Sequence, residues 1–384
     1  MKSRKFRDIT FILHRYIGLA VGVLIAFISL TGSLLVFKPE IEQLLISQRI
    51  GRILPQEQMV SIDRVLETVN SAIYTNNPFN IDASNFTLYS IRLPATASSP
   101  YQADFFDLNN KLIRLFVHPY TGEIISWNDA DSSFERIILY LHYNLMLGRN
   151  GQIAVGIVGL LLLILCITGL ILWPGWRKLI AGFKIKWNGH PKRVNFDLHK
   201  LVGIIATIFL SFTAFTGFCW NLSDWTYPLI YAITFTPQPP EVSSKPISDS
   251  TPLQLSQLLQ NSKKVFPNAR TFSVSIPSKP EDAVYISKRQ NHETMFYGES
   301  GVYLDWYSGQ ILRIVDSTKL SLGDRAIASF VPLHYGTFWG LTSRILYVLV
   351  GLTPTILLIT GFIMWQYRRK PKSTNYRNDM ARVK

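Results

Sequence analysis

The chain has 384 residues, 48% of them hydrophobic, and its 39 Lys and Arg against 25 Asp and Glu give a net charge of +14. Mean hydropathy is +0.16, which suits an integral membrane protein, and the basic excess sits in three short stretches, which argues against a nucleic-acid partner. The two cysteines, Cys166 and Cys219, lie inside apolar runs and fit no disulfide framework, CxxC motif or iron–sulfur spacing.

The chain opens on Lys2, Arg4, Lys5 and Arg7, followed by the uncharged run Tyr16 to Phe37. That run is too long for a signal peptide, and no small-residue cleavage site follows it, so it reads as an uncleaved anchor. Residues 1–37 thus form a basic N-terminus and a first spanning helix. Residues 38–133 are predicted to fold as a small α+β domain. A helix over Ser61 to Tyr74 puts Ile62, Val65, Leu66 and Val69 on one face, and the strand-like runs "FTLYSIRL", "YQADFFDL" and "LIRLFVHP" follow. The turn "PYTGEII" places Gly where positive φ is needed.

Residues 134–176 carry "LHYNLMLG" and then a second uncharged run, Asn150 to Trp176. A basic loop, 177–197, leads to the third spanning segment, 198–223, with its run Leu201 to Ser223. Residues 224–325 are predicted to form a second α+β domain: a Pro- and Ser-rich flexible lead over 237–252, a helix in "LQLSQLLQNSKKVF", then "TFSVSIP", "DAVYISK", "GVYLDWY" and "QILRIVD" as strands. Residues 326–367 hold "LHYGTFWG" and the fourth run, Ile345 to Tyr367, and 368–384 form a basic tail. Each run has at least 22 residues, enough at about 1.5 Å per residue for a hydrocarbon core of about 30 Å. Residues 1–15, 177–200 and 368–384 hold 5, 7 and 7 basic residues with one acid each, and the rest holds 20 basic and 22 acidic. Positive charge stays inside, so both termini and the middle loop are expected in the cytoplasm, with the α+β domains outside.

The sequence repeats itself. "LHRYIGLAVGVLIAFISLTG" (13–32) aligns without a gap with "LHKLVGIIATIFLSFTAFTG" (198–217), and "LHYNLMLG" (141–148) matches "LHYGTFWG" (333–340). His14 to Gly32 and His199 to Gly217 both span 18 residues; His142 to Gly169 and His334 to Gly361 both span 27. A threonine precedes each distal glycine: Thr31, Thr168, Thr216 and Thr360. The expected architecture is therefore a mainly α membrane protein, four transmembrane helices in two parallel repeats, with two small α+β domains.

Four of the seven histidines sit at matched positions of the repeat: His14, His142, His199 and His334. Ionisable groups in or near a membrane are costly and usually functional. By depth, His14 pairs with His199 near the inner face, and His142 with His334 near the outer face. Pairing of an inner with an outer histidine is the alternative, if the segments around "LMLGRNG" and "FWGLTSR" dip into the membrane. Two bis-histidine sites suit two haem b groups engaged in electron transfer. Gly18 and Gly203 lie one turn beyond His14 and His199 on the same face, where a missing side chain leaves room for a flat cofactor. Arg15 and Lys200 are candidates for the haem propionates or are inside-facing charges; Arg149 and Arg344 are weaker counterparts at the outer face. Zinc is the rival metal, but two histidines per depth without nearby Cys, Asp or Glu make a poor zinc site. His118, His190 and His292 have no counterpart in the other repeat and are expected to be surface residues. No GxGxxG, P-loop or HExxH motif occurs, so an electron donor must come from outside the chain.

The helix openings "LHRYIGL…LTG" and "LHK…FTG", the outer "LHY…G" motifs and the turn "HPYTGEI" together resemble the PepSY-associated transmembrane proteins, over about residues 9 to 368. That family includes iron-regulated inner-membrane proteins and ferric-siderophore reductases of the ferrioxamine type. The resemblance implies a di-haem inner-membrane protein with periplasmic PepSY domains, and its motifs carry the haem-ligand role to His14, His142, His199 and His334. The second turn, "DWYSGQI", departs from "HPYTGEI", so a role for His118 at a substrate surface is not duplicated. The implied activity passes electrons from a quinol or a cytoplasmic reductase to a ferric siderophore or other Fe(III) chelate, within the lipid bilayer. The competing expectation is non-enzymatic: a transporter or accessory protein, or a PepSY binding module in iron uptake.

Overall fold

The computed structural model describes residues 2–75, 86–109, 111–246 and 251–369. The basic tail from residue 370 onward, and residues 247–250 of the flexible lead, lie outside them. The chain divides into a helical unit (Met1–Ser33, His142–Leu222, Ile345–Lys384) and a sheet unit (Leu34–Leu141, Ser223–Arg344).

Elements in chain order are α1 (Lys2–Leu35), α2 (Lys38–Ile50), α3 (Ile62–Asn70), β1 (Thr87–Arg92), β2 (Tyr101–Phe106), β3 (Leu112–Val117), β4 (Ile124–Asp129), α4 (Phe134–Asn144) and α5 (Gly148–Leu172). There follow α6 (Leu179–Phe183), α7 (Pro191–Asn221), α8 (Ser223–Ile233), α9 (Leu255–Val265), β5 (Arg270–Ser275), β6 (Val284–Arg289), β7 (Ser300–Leu304), β8 (Ile311–Val315), α10 (Leu322–Ala328), α11 (Phe330–Tyr335) and α12 (Gly340–Arg369).

Among the described residues, 4 helical spans are long and apolar enough to cross a membrane: Arg4–Leu35, Gly148–Trp176, Pro191–Asn221 and Gly340–Arg369. Two of them contain their uncharged runs whole, while those of α1 and α7 stop short of Phe37 and Ser223 and begin well before Tyr16 and Leu201. Lys and Arg are good helix formers, so charge ends the apolar run without ending the helix. Pro191 starts α7 at its first turn, and the His190 ring accepts the Lys192 N–H at 3.2 Å. His14 and His199 therefore lie inside helices rather than at their mouths.

Small residues set the helix packing. A Cβ on Gly159 would stand 3.1 Å from the Ala214 carbonyl oxygen, and one on Gly156 3.0 Å from Leu222, so α5 lies close along α7. A Cβ on Gly351 would overlap Ser33, whose hydroxyl donates to the Val348 carbonyl at 3.3 Å and joins α1 to α12. Pro354 interrupts α12 and cannot donate to Val350; the Thr353 hydroxyl does so instead, at 2.6 Å.

In the sheet unit all the predicted strands form, but not as two separate domains. They make one eight-stranded antiparallel sheet in the order β4-β3-β2-β1-β5-β6-β7-β8. A four-stranded meander alone would leave β1 or β5 as an open edge, with a row of unpaired peptide groups. The two edges pair with each other, Ser90 opposite Ser275, Ile91 opposite Val274 and Arg92 opposite Ser273. Amide bonds from Ile276 to Tyr89 (2.8 Å) and from Leu93 to Phe272 (2.9 Å) extend the seam. One core serves both halves: Val65 and Val69 of α3 and Leu255 and Leu258 of α9 pack with Ile91, Phe105, Leu115, Val274, Ile286 and Val302.

Candidate cofactor site

His14 on α1 and His199 on α7 come together inside the helical unit. Their ring centroids are 6.3 Å apart and their planes stand at 87°. Two imidazoles trans on one metal, each bonded at about 2.0 Å with its nitrogen ~1.1 Å from the ring centre, have centroids about 6.2 Å apart. The separation fits a single ion between the two rings.

Each ring is fixed from behind. His14 Nδ1 is 2.8 Å from Thr168 Oγ1 on α5, and His199 Nδ1 is 2.8 Å from Thr360 Oγ1 on α12. The two hydroxyls also donate to carbonyls of their own helices, Ile164 and Ile356, at 2.7 Å. A hydroxyl whose proton is so committed offers its lone pair to Nδ1–H, which leaves Nε2 as the ligating nitrogen. The glycine after each threonine gives the ring its space: a Cβ on Gly169 would stand 3.3 Å from His14 Cε1, and one on Gly361 3.5 Å from His199 Cε1.

His142 repeats the arrangement. Its Nδ1 is 2.8 Å from the Ile28 carbonyl oxygen and 3.3 Å from Thr31 Oγ1. A Cβ on Gly32 would reach within 2.8 Å of its Cε1. Gly32, Gly169 and Gly361 each lie against the imidazole of another helix. The threonines had no assigned role in the sequence, although the fixed Thr-Gly spacing was the signal that marked them. His334 lies on α11 in the sheet unit.

The donor set suits a haem. The inner pair offers two ring nitrogens, and among the described residues no cluster of three or more His, Cys, Asp or Glu could hold a metal ion. Gly18 and Gly203 stay open: a Cβ there would meet only Leu165 at 3.8 Å and Leu357 at 3.7 Å, respectively. Arg15 Nε, next to His14, is buried without a hydrogen-bond partner among the described residues, an unmet donor that suits a propionate.

Lys200, a propionate candidate or an inside-facing charge by sequence, is engaged within the protein. Its ammonium is buried and donates to the carbonyls of Ala181 (2.6 Å) and Lys184 (2.9 Å) and to Asp197 Oδ1 (2.7 Å). Asp197 also accepts from the Lys186 amide and Arg193, so this ion pair holds the 177–197 loop in shape and occupies Lys200. Arg344 is likewise engaged, in a bidentate pair with Glu40 at 2.6 and 2.7 Å, and Arg149 donates to Gln152 at 3.1 Å.

The remaining histidines have local structural tasks. His118 Nδ1 accepts the amides of Tyr120 (3.3 Å) and Thr121 (3.2 Å) in the turn that ends at Gly122, φ 75°. Asp305, its aligned counterpart, accepts the amides of Tyr307 (3.0 Å) and Ser308 (2.8 Å) before Gly309, φ 69°. Acceptor strength, not imidazole chemistry, is what the two positions share. His292 is exposed, with Nε2 3.0 Å from Ser317 Oγ.

A buried charge cluster, not foreseen from the residue pattern, lies on the far face of the sheet. Arg92, Asp104 and Arg114 alternate with core residues on β1 to β3, and α2 brings Glu42 onto them. Arg114 donates to Asp104 at 2.6 Å and to Glu42 at 2.8 Å; Arg92 donates to the same two carboxylates at 2.8 and 3.1 Å. Burial alone would raise both acids, but the flanking cations outweigh it, holding Asp104 far below the ordinary range and Glu42 down at about 2.

Residues 11–368 match the family described as the PepSY-associated TM region. An uncharacterised protein of Pseudomonas aeruginosa is 26% identical over 258 residues, which cover 61% of this chain and 63% of that protein. The match thus spans less than two thirds of the relative's length. With a family match over nearly the whole chain and helices able to span a bilayer, this is a membrane protein of the PepSY-associated transmembrane family.

Proposed function

We propose that the chain is a di-haem b reductase of a bacterial inner membrane that delivers electrons to a periplasmic Fe(III) chelate of the siderophore class. The observation that carries this reading is the His14–His199 pair, with centroids 6.3 Å apart and each Nδ1 held by a threonine on another spanning helix. Haem bound between two imidazoles supplies reversible one-electron chemistry at a closed coordination sphere. The protein's own part is to hold both rings in one tautomer, to exclude water with apolar helices and to meet the acidic edge with Arg15. In this reading His142 and His334 serve a second, outer haem, the two meanders of the sheet unit are PepSY domains in the periplasm, and both termini are cytoplasmic. Quinol or a cytoplasmic reductase supplies the electrons.

A pyridine haemochrome assay on the purified chain is expected to give two haems. His14→Ala and His199→Ala should each remove one, and the double variant no more than either single, because the two ligands act as a unit. Loss of different haems by the two single variants, or no haem in the wild type, would overturn the reading.

A further inference from the structure

A cavity of about 300 Å³ lies in the sheet unit, on the face opposite the core. Its lining is charged on one part and aromatic on another. Lys38, Arg92 and Arg114 meet the carboxylates of Glu42 and Asp104 there, three positive charges to two negative. Glu135 of α4 also lines it and is only 8% exposed. Its Oε1 accepts the Ser133 hydroxyl at 2.6 Å, while Oε2 is buried with no hydrogen-bond partner among the described residues. Arg136, the nearest basic residue in sequence, is spent on Asp131 at 2.8 Å. An unmet buried carboxylate oxygen is costly, and one that lines a cavity is placed to be met by a group bound there.

Two aromatic pairs complete the wall: Tyr89 with Phe106 and Phe272 with Tyr297, each with centroids 5.3 Å apart. A bare carboxylate oxygen, a neighbouring group with one positive charge in excess, and the ring faces of Tyr89, Phe106, Phe272 and Tyr297 make a dipolar site with an apolar wall. We propose that this cavity binds a small zwitterion of the amino-acid type with an apolar side chain. The ammonium pairs with Glu135 Oε2, the carboxylate with the Lys38–Arg92–Arg114 side, and the side chain lies on the rings, which also favour the cation. The site is independent of the redox reading above.

The test is calorimetric titration of the purified full chain with three probes: L-phenylalanine, phenethylamine, which lacks the carboxylate, and 3-phenylpropionate, which lacks the ammonium. L-Phenylalanine is expected to bind about tenfold or more tightly than either truncated probe, since each leaves a buried charge unmet. E135Q should weaken L-phenylalanine and phenethylamine by about tenfold or more and leave 3-phenylpropionate unchanged. No binding of L-phenylalanine at millimolar concentration, equal binding of a truncated probe, or an E135Q protein that binds all three as the wild type does would each overturn the proposal. The wild-type ranking needs no variant, so it decides the matter even if E135Q fails to fold.

Discussion

At the scale of single residues, the spacing between a glycine and an imidazole decides what a methyl group costs. A Cβ on Gly32 would stand 2.8 Å from His142 Cε1, but one on Gly361 3.5 Å from His199 Cε1. The first is a clash that must displace the ring; the second is ordinary contact. Gly32→Ala is therefore expected to lose at least half of one haem, read as Soret absorbance per chain, while Gly361→Ala keeps its full complement. Equal losses would show that the glycines serve the helices and not the rings. Glu42 supplies a second prediction. Its folded value of about 2 lies below its ordinary 4.5, so its contribution is complete above pH 4.5 and fades as pH falls toward 2. The difference amounts to about 3 kcal/mol of stability. Protection factors of β1 to β3, taken against the intrinsic exchange rate at each pH, should fall across that window in the wild type, and Glu42→Gln, already weakened at pH 7, should flatten the dependence.

At the scale of elements, the seam between β1 and β5 holds the sheet together. Ile91 and Val274 face each other across it and are fully buried. Ile91→Ala should cost about 2–5 kcal/mol, seen as a lower thermal midpoint for the sheet unit; a change under 0.5 kcal/mol would mean that the halves stand independently. This seam was not legible in the sequence, because alternation reveals which face of a strand is buried and says nothing about which edge it offers. The helices α3 and α9 were legible, since Ile62, Val65 and Val69 recur at helical spacing and are all buried. The Glu42 cluster was hidden for a related reason: Asp104 and Arg114 occupy the polar positions of their strands, which reads as solvent. The packing of α2, whose mixed sequence carries a weak apolar face, brings Glu42 over them. The repeated histidines were legible as a matched spacing; their threonine and glycine partners were visible as a pattern without a contact.

At the scale of the whole molecule, charge asymmetry predicts the sidedness of the chain. A reporter inserted at Asn188, in the exposed turn of the basic loop, should be cytoplasmic, and one at Thr318, in an exposed turn of the sheet unit, periplasmic. The opposite result would reverse the proposed direction of electron flow. The seam carries a further consequence. Ser90 faces Ser275, and the pairs on either side, Ile91 with Val274 and Tyr89 with Ile276, mirror one another. That is the form of contact a homodimer makes about a two-fold axis, where each copy presents the same strand to the other. A chain of half this length would carry one imidazole of the inner pair and one bare edge, and two copies would complete both. In one polypeptide the two halves are free to differ without losing the assembly. The histidine at one turn can become an aspartate at the other, and the charge cluster of Glu42, Arg92, Asp104 and Arg114 can belong to one half alone, something no symmetric dimer could encode.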